Sequence, residues 1–239
     1  MTGAREDAPR TEGTAGDDEP LPNLAVRVWE LVMSPGRLFD RLRERPAWIG
    51  ALVLMVAVAV VSTWIMPEEI LREAATVNMP EDASPEQVES AVGFARIAGY
   101  IGSVIGPPVA VAVVAGVLLF VFNVVLGGAA RYVQLFSATA HAMLITTLGG
   151  IVVLPLVLSS GDPQTALALH LLLPGVEEGF LYRLFHGLNV FGLWAATLLG
   201  LAVSRIYPAR TFGGAAGAVL GMYVATKLLW AVLGGLGGA

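Results

Sequence analysis

Five apolar segments, each long enough to cross a membrane as a helix, follow one another along the chain. A hydrocarbon core about 30 Å thick needs about 20 apolar helical residues. The segments that satisfy this length are residues 47–66, 99–126, 137–158, 188–206 and 212–233. Spans four and five are separated only by the short sequence YPART. The pattern predicts an all-α integral membrane protein with five transmembrane helices and a short amino-terminal amphipathic region.

The composition agrees with a membrane protein and excludes several kinds of chemistry. Of the 239 residues, 56% are hydrophobic and 14% are charged, whereas a soluble domain carries about 25% charged residues. The sequence has no cysteine, which excludes disulfides and thiol nucleophiles. It also lacks metal-ligand spacings and nucleotide-binding loops, so we expect no cofactor. Without a basic patch, nucleic acid is not expected as a partner.

Arginine is distributed unequally between the two ends of the predicted spans. The side of the amino terminus has seven arginines: Arg37, Arg41, Arg43, Arg45, Arg131, Arg205 and Arg210. The other side has three, Arg72, Arg96 and Arg183, together with ten acidic residues. Because cytoplasmic loops are enriched in basic residues, we expect a multi-pass protein of the cell (inner or plasma) membrane. Its amino terminus would be cytoplasmic and its carboxyl terminus would lie outside.

Three regions are predicted along the chain. Residues 1–22 are polar and rich in Gly and Pro, which is typical of a disordered tail. Residues 23–46 predict two short amphipathic helices that meet at Ser34-Pro35, and residues 47–235 form the membrane domain. A basic amphipathic helix directly before a span usually lies among lipid headgroups. The alternative is a helix docked on the bundle.

Small residues recur at a spacing of four in the last two spans. Because apolar helices in lipid associate through close approach at small residues, these positions predict a tight hairpin of spans four and five. They are Gly192, Ala196 and Gly200 in span four and Gly213, Gly217 and Gly221 in span five. Span two, with Gly102, Gly106 and Ala110, is a candidate third partner.

Polar and helix-breaking residues inside the spans offer a few further candidates. Pro107-Pro108 could interrupt span two, as in helices that line transporter sites, although a plain kink is the favoured interpretation. Lys227 lies roughly 9 Å from the end of span five, within reach of its own stem to the surface. His141 is predicted at the membrane interface rather than in a proton relay.

The segment EEGFLYRLFH, residues 177–186, invites comparison with an enzyme. On a helix, Glu178, Tyr182, His186 and Asn189 share one face, which predicts an amphipathic helix on the outer interface. Intramembrane proteases of the CAAX-processing and self-immunity type have a Glu-Glu-x-x-x-Arg motif, but here four residues separate Glu178 from Arg183. The histidine spacings and the motif order differ as well. We therefore expect a protein that is not an enzyme.

Four sequences in order carry a family resemblance: SPGRLFDRLRERPAW, SPEQVESAV, LGGAARYVQLFSATAHA and LNVFGLWAATLLGLAV. Over residues 30–235 the chain resembles the prokaryotic branch of the Yip family, the Ypt/Rab-interacting membrane proteins. The resemblance implies five spans, a cytoplasmic amino-terminal region and a non-enzymatic role. Asn189, Phe191 and Trp194 stand where the family often has Asp-x-aromatic-x-x-Trp, so a role for a carboxylate there is not expected.

Two functions remain open, with the intramembrane protease as a remote third. The first is a scaffold or assembly role of the trafficking type, with the bilayer and either a second copy or another membrane protein as partners. The second is a small transporter, channel or lipid-handling protein built around Pro107-Pro108.

Overall fold

The computed structural model describes residues 21–77, 79–80, 82–161, 165–173, 175–176 and 178–236. Within these ranges the chain folds into nine α-helices, with one isolated β-bridge between Ala168 and Asn189. The predicted all-α class is therefore confirmed. Nearly all of the predicted tail, residues 1–20, lies outside the described residues.

The amino-terminal region forms two helices, α1 (Leu24–Met33) and α2 (Pro35–Glu44), divided at Ser34 as predicted. Asn23 caps α1, since its Oδ1 accepts a 3.0 Å hydrogen bond from the Val26 amide. The apolar face of α2 is fully buried against protein; its residues are Leu38, Phe39 and Leu42. The prediction that this face lies among lipid headgroups is wrong, because the bundle itself supplies the apolar surface that covers it.

The next two helices meet at a sharp angle. Helix α3 (Ile49–Trp64) has 16 residues, and α4 (Glu68–Thr76) leaves it at 94°. At 1.5 Å per residue α3 is about 24 Å long, shorter than a hydrocarbon core of about 30 Å. The two helices together could make one broken span, or α4 could lie at the surface beside it.

Helix α5 (Pro85–Leu119) is the longest in the described chain. It begins at a capping box, in which Ser84 and Gln87 each bond the other's backbone amide. It continues without a break through Pro107 and Pro108, so the interruption that was the less favoured alternative is not found there. The two prolines donate no helical hydrogen bond, and the regular turns on both sides keep the helix continuous. The helical geometry changes only after α5, where residues Phe120–Val125 form π-helical turns.

The remaining helices complete the bundle. They are α6 (Tyr132–Ser160), α7 (Gly179–Gly187), α8 (Val190–Ile206) and α9 (Phe212–Leu236), with a 3₁₀ turn at Leu169–Leu172. Three helical stretches are long and apolar enough to span a membrane, Pro85–Val125, Tyr132–Ser160 and Phe212–Gly235, or four if α3 and α4 count as one span. Helix α8 is apolar but has only 17 residues. The described residues thus give three to four candidate spans where the sequence predicts five.

Helix α8 is central, because it contacts α2, α6 and α9. The predicted hairpin of α8 and α9 is confirmed, and this pair has the most extensive contact among the helices. By contrast, α5 and α9 each turn large apolar side chains outward, among them Phe94, Ile97, Ile101, Leu229 and Trp230. Surfaces of this kind suit contact with lipid chains.

Polar contacts gather the arginine-rich segments at one end of the bundle. The Asn123 side chain bonds both the amide and the carbonyl of Ala130, and the Tyr207 hydroxyl donates to Asn123 Oδ1 at 2.6 Å. Arg210 donates to the carbonyl of Leu126, and Arg43 donates to that of Arg205. The loop after α5, the loop after α8 and the amino-terminal helices therefore lie together.

Candidate functional site

A cavity of about 360 Å³ lies between α5, α6, α8 and α9. Most of its wall is aliphatic, and its polar side chains are Thr146, Tyr223, Thr226 and Lys227. The remaining lining residues are Val113, Val114, Val117, Leu118, Ala142, Met143, Gly192, Ala195, Ala196, Leu199, Val219 and Met222. Its volume falls in the range of small-molecule sites, about 300–1,000 Å³.

Three of the four polar side chains already have hydrogen-bond acceptors. Thr146 donates to the Met143 carbonyl and Thr226 to the Tyr223 carbonyl, each at 2.6 Å. The Tyr223 hydroxyl donates to the Gly187 carbonyl at 3.3 Å. Each hydroxyl hydrogen is therefore already bonded to a main-chain carbonyl. The two threonines and the tyrosine do not need a hydrogen-bond acceptor inside the cavity.

Lys227 differs from these groups. Its ammonium lies 5.4 Å from the centre of the Tyr223 ring, a cation–π distance. Among the residues that the structure describes, no carboxylate forms an ion pair with it. Its stem lies against Gly187, where a Cβ would come 3.3 Å from Lys227 Cδ. Lys227 therefore places a positive charge against a mostly aliphatic cavity wall.

The predicted small residues of α8 face α9 or the cavity. A Cβ at Gly192 would overlap the Tyr223 hydroxyl, and one at Gly200 would overlap the Cα of Ala216. Ala196 is buried and lines the cavity. These three positions allow the close approach of α9, as the spacing predicts.

The predicted stripe on α9 does not take part in this contact. Gly213, Gly217 and Gly221 are exposed, and a Cβ at any of them would meet nothing within 4 Å. Helix α9 instead turns Ala215, Ala216 and Val219 inward. Two faces of this helix carry small residues, and the face with methyl groups buries more apolar area against α8. The expectation that the glycines form the hairpin interface is wrong. Gly102 and Gly106 on α5 are likewise open.

The start of α8 gives Asn189 a structural role. Its Oδ1 accepts a 2.6 Å bond from the Gly192 amide and so caps the helix. Trp194 is partly exposed and does not line the cavity. Phe191 packs so closely on α6 that a Cβ at Gly149 would overlap its ring. Of the two aromatic residues of this motif, Phe191 therefore serves helix packing.

A second polar cluster, which we call the amino-terminal clamp, joins α1 to α6 through Arg27, Ser137, His141 and Ala47. His141, which the sequence predicts at the membrane interface, is fully buried by protein. Its Nδ1 lies 2.9 Å from the Ser137 carbonyl, and Arg27 Nη1 lies 3.3 Å from its Nε2. Because guanidinium can only donate, Nε2 accepts and Nδ1 donates. Burial lowers the pKa of Arg27 from its usual value.

The clamp continues through main-chain contacts and an ion pair. The Ala47 amide donates to Ser137 Oγ at 3.0 Å. Within the amino-terminal region, Arg41 bonds both carboxylate oxygens of the buried Glu30, at 2.6 and 2.9 Å. Sequence reasoning missed Arg27, Glu30 and Ser137 because their partners lie far along the chain or on another helix, where no local spacing signals them.

The segment predicted as an interfacial helix forms α7 and the turn before it. His170, Tyr182 and His186 make a cluster of three rings, with centroids 5.0 to 5.6 Å apart. Burial, and to a lesser extent the neighbouring His186, lowers the pKa of His170. Glu178 is exposed at the start of α7 and does not line the cavity. No group of His, Asp and Glu among the described residues could hold a metal ion.

Comparison with known proteins agrees with this architecture. Membrane protein YknW of Bacillus subtilis (strain 168) is 25% identical over 189 residues, an alignment that covers 74% of this chain and 77% of that protein. No solved structure matches the chain significantly. The model of the Yip1 domain family matches residues 29–235. With a helical bundle, apolar outer faces and a match over most of its length, the chain belongs to the Yip1 domain family of membrane proteins.

Proposed function

We propose that this protein is a non-enzymatic membrane scaffold that assembles other proteins at its amino-terminal face. The observation that carries the proposal is the docking of α1 and α2 on the bundle by the amino-terminal clamp. The Arg27–His141 contact joins α1 to α6, and the Arg41–Glu30 ion pair joins α2 to α1. The apolar face of α2 is buried against the bundle. A fixed platform of this kind offers a partner a preorganised surface, which lowers the ordering cost of binding.

The platform presents an apolar stripe away from the bundle. Val26, Trp29 and Met33 lie on one side of α1, and Trp29 and Met33 are 64% and 57% exposed. Aromatic and methionine side chains are enriched in protein interfaces. We propose that this stripe contacts either another membrane protein or a second copy of the chain.

The topology proposed for this function has five crossings, with α3, α5, α6, α8 and α9 as spans. It is supported by the gathering of the loops after α5 and α8 beside α1 and α2, since alternate loops then share one side. The arginines of these segments favour the cytoplasm as that side. In this arrangement the carboxyl terminus lies outside.

The absence of catalysis is part of the proposal. His141 bonds a main-chain carbonyl and Arg27, so both ring nitrogens serve the fold. The alternative of a transporter built on a broken helix has less support, because α5 is continuous at Pro107 and Pro108. A flux assay on proteoliposomes, with Pro107→Ala/Pro108→Ala as the paired variant, tests that alternative directly.

The scaffold is tested by capture of partners from native membrane patches extracted without detergent. The full chain carries a photo-crosslinker at position 37 on α2, and crosslinked partners are quantified by mass spectrometry. We expect Trp29→Ser/Met33→Ser to lower partner yield at least about fivefold. The matched control is Phe94→Ser, which changes a 73% exposed residue on α5. Recovery of the wild-type chain as a lone monomer, or equal loss in both variants, contradicts the proposal.

A further inference from the structure

We propose that the cavity between α5, α6, α8 and α9 binds one acyl chain of an anionic phospholipid, with the phosphate headgroup against Lys227. This inference concerns a different surface from the platform on α1 and does not depend on the scaffold function. It rests on the shape of the cavity, on the chemistry of its wall and on the position of its one cation.

The wall of the cavity suits a hydrocarbon chain. Its aliphatic side chains come from all four helices. Along α9 the lining runs from Val219 to Lys227, which at 1.5 Å per residue is about 12 Å. The cavity is therefore longer than a single side chain and follows the helix axes, the direction of lipid chains in a bilayer.

The polar end of the cavity suits an anion. Thr146 and Thr226 have already donated their hydroxyl hydrogens to main-chain carbonyls. Lys227 has no carboxylate partner among the described residues, and its only recorded polar contact is the face of the Tyr223 ring. An ammonium next to apolar surface gains more from an anion than one in bulk water does. Charge complementarity thus selects an anionic headgroup over a zwitterionic one.

The ends of the cavity also agree with the depth of a lipid. Helices α8 and α9 run antiparallel, with Gly192 against Tyr223 and Gly200 against Ala216. Lys227 is therefore at the same end of the lining as Gly192, and Val219 is at the same end as Leu199. Lysine stems extend along apolar surfaces toward the headgroup region. A lipid whose phosphate meets Lys227 therefore points its chain toward the middle of the bundle.

The test is native mass spectrometry of the purified full chain. The protein is mixed with equal amounts of dioleoyl phosphatidylglycerol and dioleoyl phosphatidylcholine, which share acyl chains and differ in charge. We expect the first bound lipid to be phosphatidylglycerol with at least about fivefold preference. Lys227→Met should abolish the preference, and Lys227→Arg should retain it. Equal binding of both lipids by the wild type, or an unchanged preference in Lys227→Met, overturns the proposal.

A second variant locates the acyl chain. Ala196→Leu adds volume to the cavity wall, and we expect it to weaken binding of both lipids at least about threefold. The matched control is Gly221→Leu, which adds a side chain to the open side of α9. Helical content by circular dichroism and a monodisperse elution profile confirm that each variant is folded. Wild-type binding by a folded Ala196→Leu variant shows that the chain binds elsewhere and overturns the assignment.

Discussion

Arg27 lies 3.3 Å from Nε2 of His141, 114 residues further along the chain, and so joins the first helix to the interior of α6. The contact is short in space and long in sequence. It gives a buried imidazole a structural partner at each nitrogen, and it fixes where the amino-terminal region sits.

Replacing His141 by alanine should loosen the amino-terminal region. The change leaves Arg27 without its ring partner and opens a cavity, which together should cost about 2–4 kcal/mol of unfolding free energy. Unfolding in mild detergent measures the loss, and limited proteolysis shows whether cleavage concentrates in residues 24–46. The control is Arg37→Gln on the exposed side of α2. A His141→Ala protein within about 0.5 kcal/mol of wild type would show that the clamp is not stabilising.

Tyr207→Phe removes a single hydroxyl between two loops. The phenylalanine ring keeps the stack on Phe122, whose centroid is 5.4 Å away, and only the 2.6 Å bond to Asn123 is lost. We expect a loss of about 1 kcal/mol in unfolding free energy. Tyr100→Phe is the matched control, because no hydrogen bond of its hydroxyl is recorded among the described residues. Equal effects of the two substitutions would contradict the assigned role of the bond.

The phenol of Tyr207 should also make the free energy of unfolding depend on alkaline pH. Burial raises the pKa of Tyr207 to about 12, above the value of about 10 in the unfolded chain. The phenol therefore contributes stability that is complete below pH 10 and is lost as pH rises through about 12. The stability advantage of wild type over Tyr207→Phe should shrink across this window. Parallel unfolding curves from pH 8 to 12 measure it, and a constant difference would refute the prediction.

Two glycines should respond to alanine in opposite directions. A Cβ at Gly200 overlaps the Cα of Ala216, so Gly200→Ala must push α8 and α9 apart, at a cost of about 1–3 kcal/mol. A Cβ at Gly217 meets nothing within 4 Å, and Gly217→Ala should be neutral or stabilise the helix by up to about 1 kcal/mol. Thermal unfolding of both variants and of the wild type, in the same detergent, measures these differences in stability. A destabilising Gly217→Ala would indicate that the outer face of α9 is packed.

The ring cluster of His170, Tyr182 and His186 should weaken in acid. The pKa of His170 is held below its usual value by burial and by His186, so its contribution is present above about pH 6.5 and is lost as pH falls through the folded pKa. Hydrogen exchange of residues 169–187, corrected for intrinsic rates, should rise between pH 7 and 5. His170→Phe keeps a ring without a titrating nitrogen and should show a smaller rise.

The helices were predictable because the signals for them are local. The division between α1 and α2 is signalled by the adjacent residues Ser34 and Pro35, and it stands where the sequence places it. The hairpin of α8 and α9 followed from short loop length and small residues. Its register did not, because α9 carries small residues on two faces and only packing decides which is buried.

The long-range polar contacts could not be predicted from the sequence. His141 occupies a position near the end of a predicted span, where an interfacial histidine and a buried one have the same local surroundings. The contact from Arg27 on α1 gives the buried Nε2 of His141 a hydrogen-bond partner. The same holds for α2, whose apolar stripe suits lipid and protein equally until the position of the bundle is known.

Lys227 is the only lysine in the chain, and the other basic residues are arginines. Reagents that acylate primary amines therefore have one side-chain target, and that target lies on the wall of the cavity. The rate of acylation at this position becomes a single-site footprint of cavity occupancy that requires no engineered label. For the same reason, lysine-directed crosslinking would give almost no crosslinks to this protein, whatever proteins lie beside it.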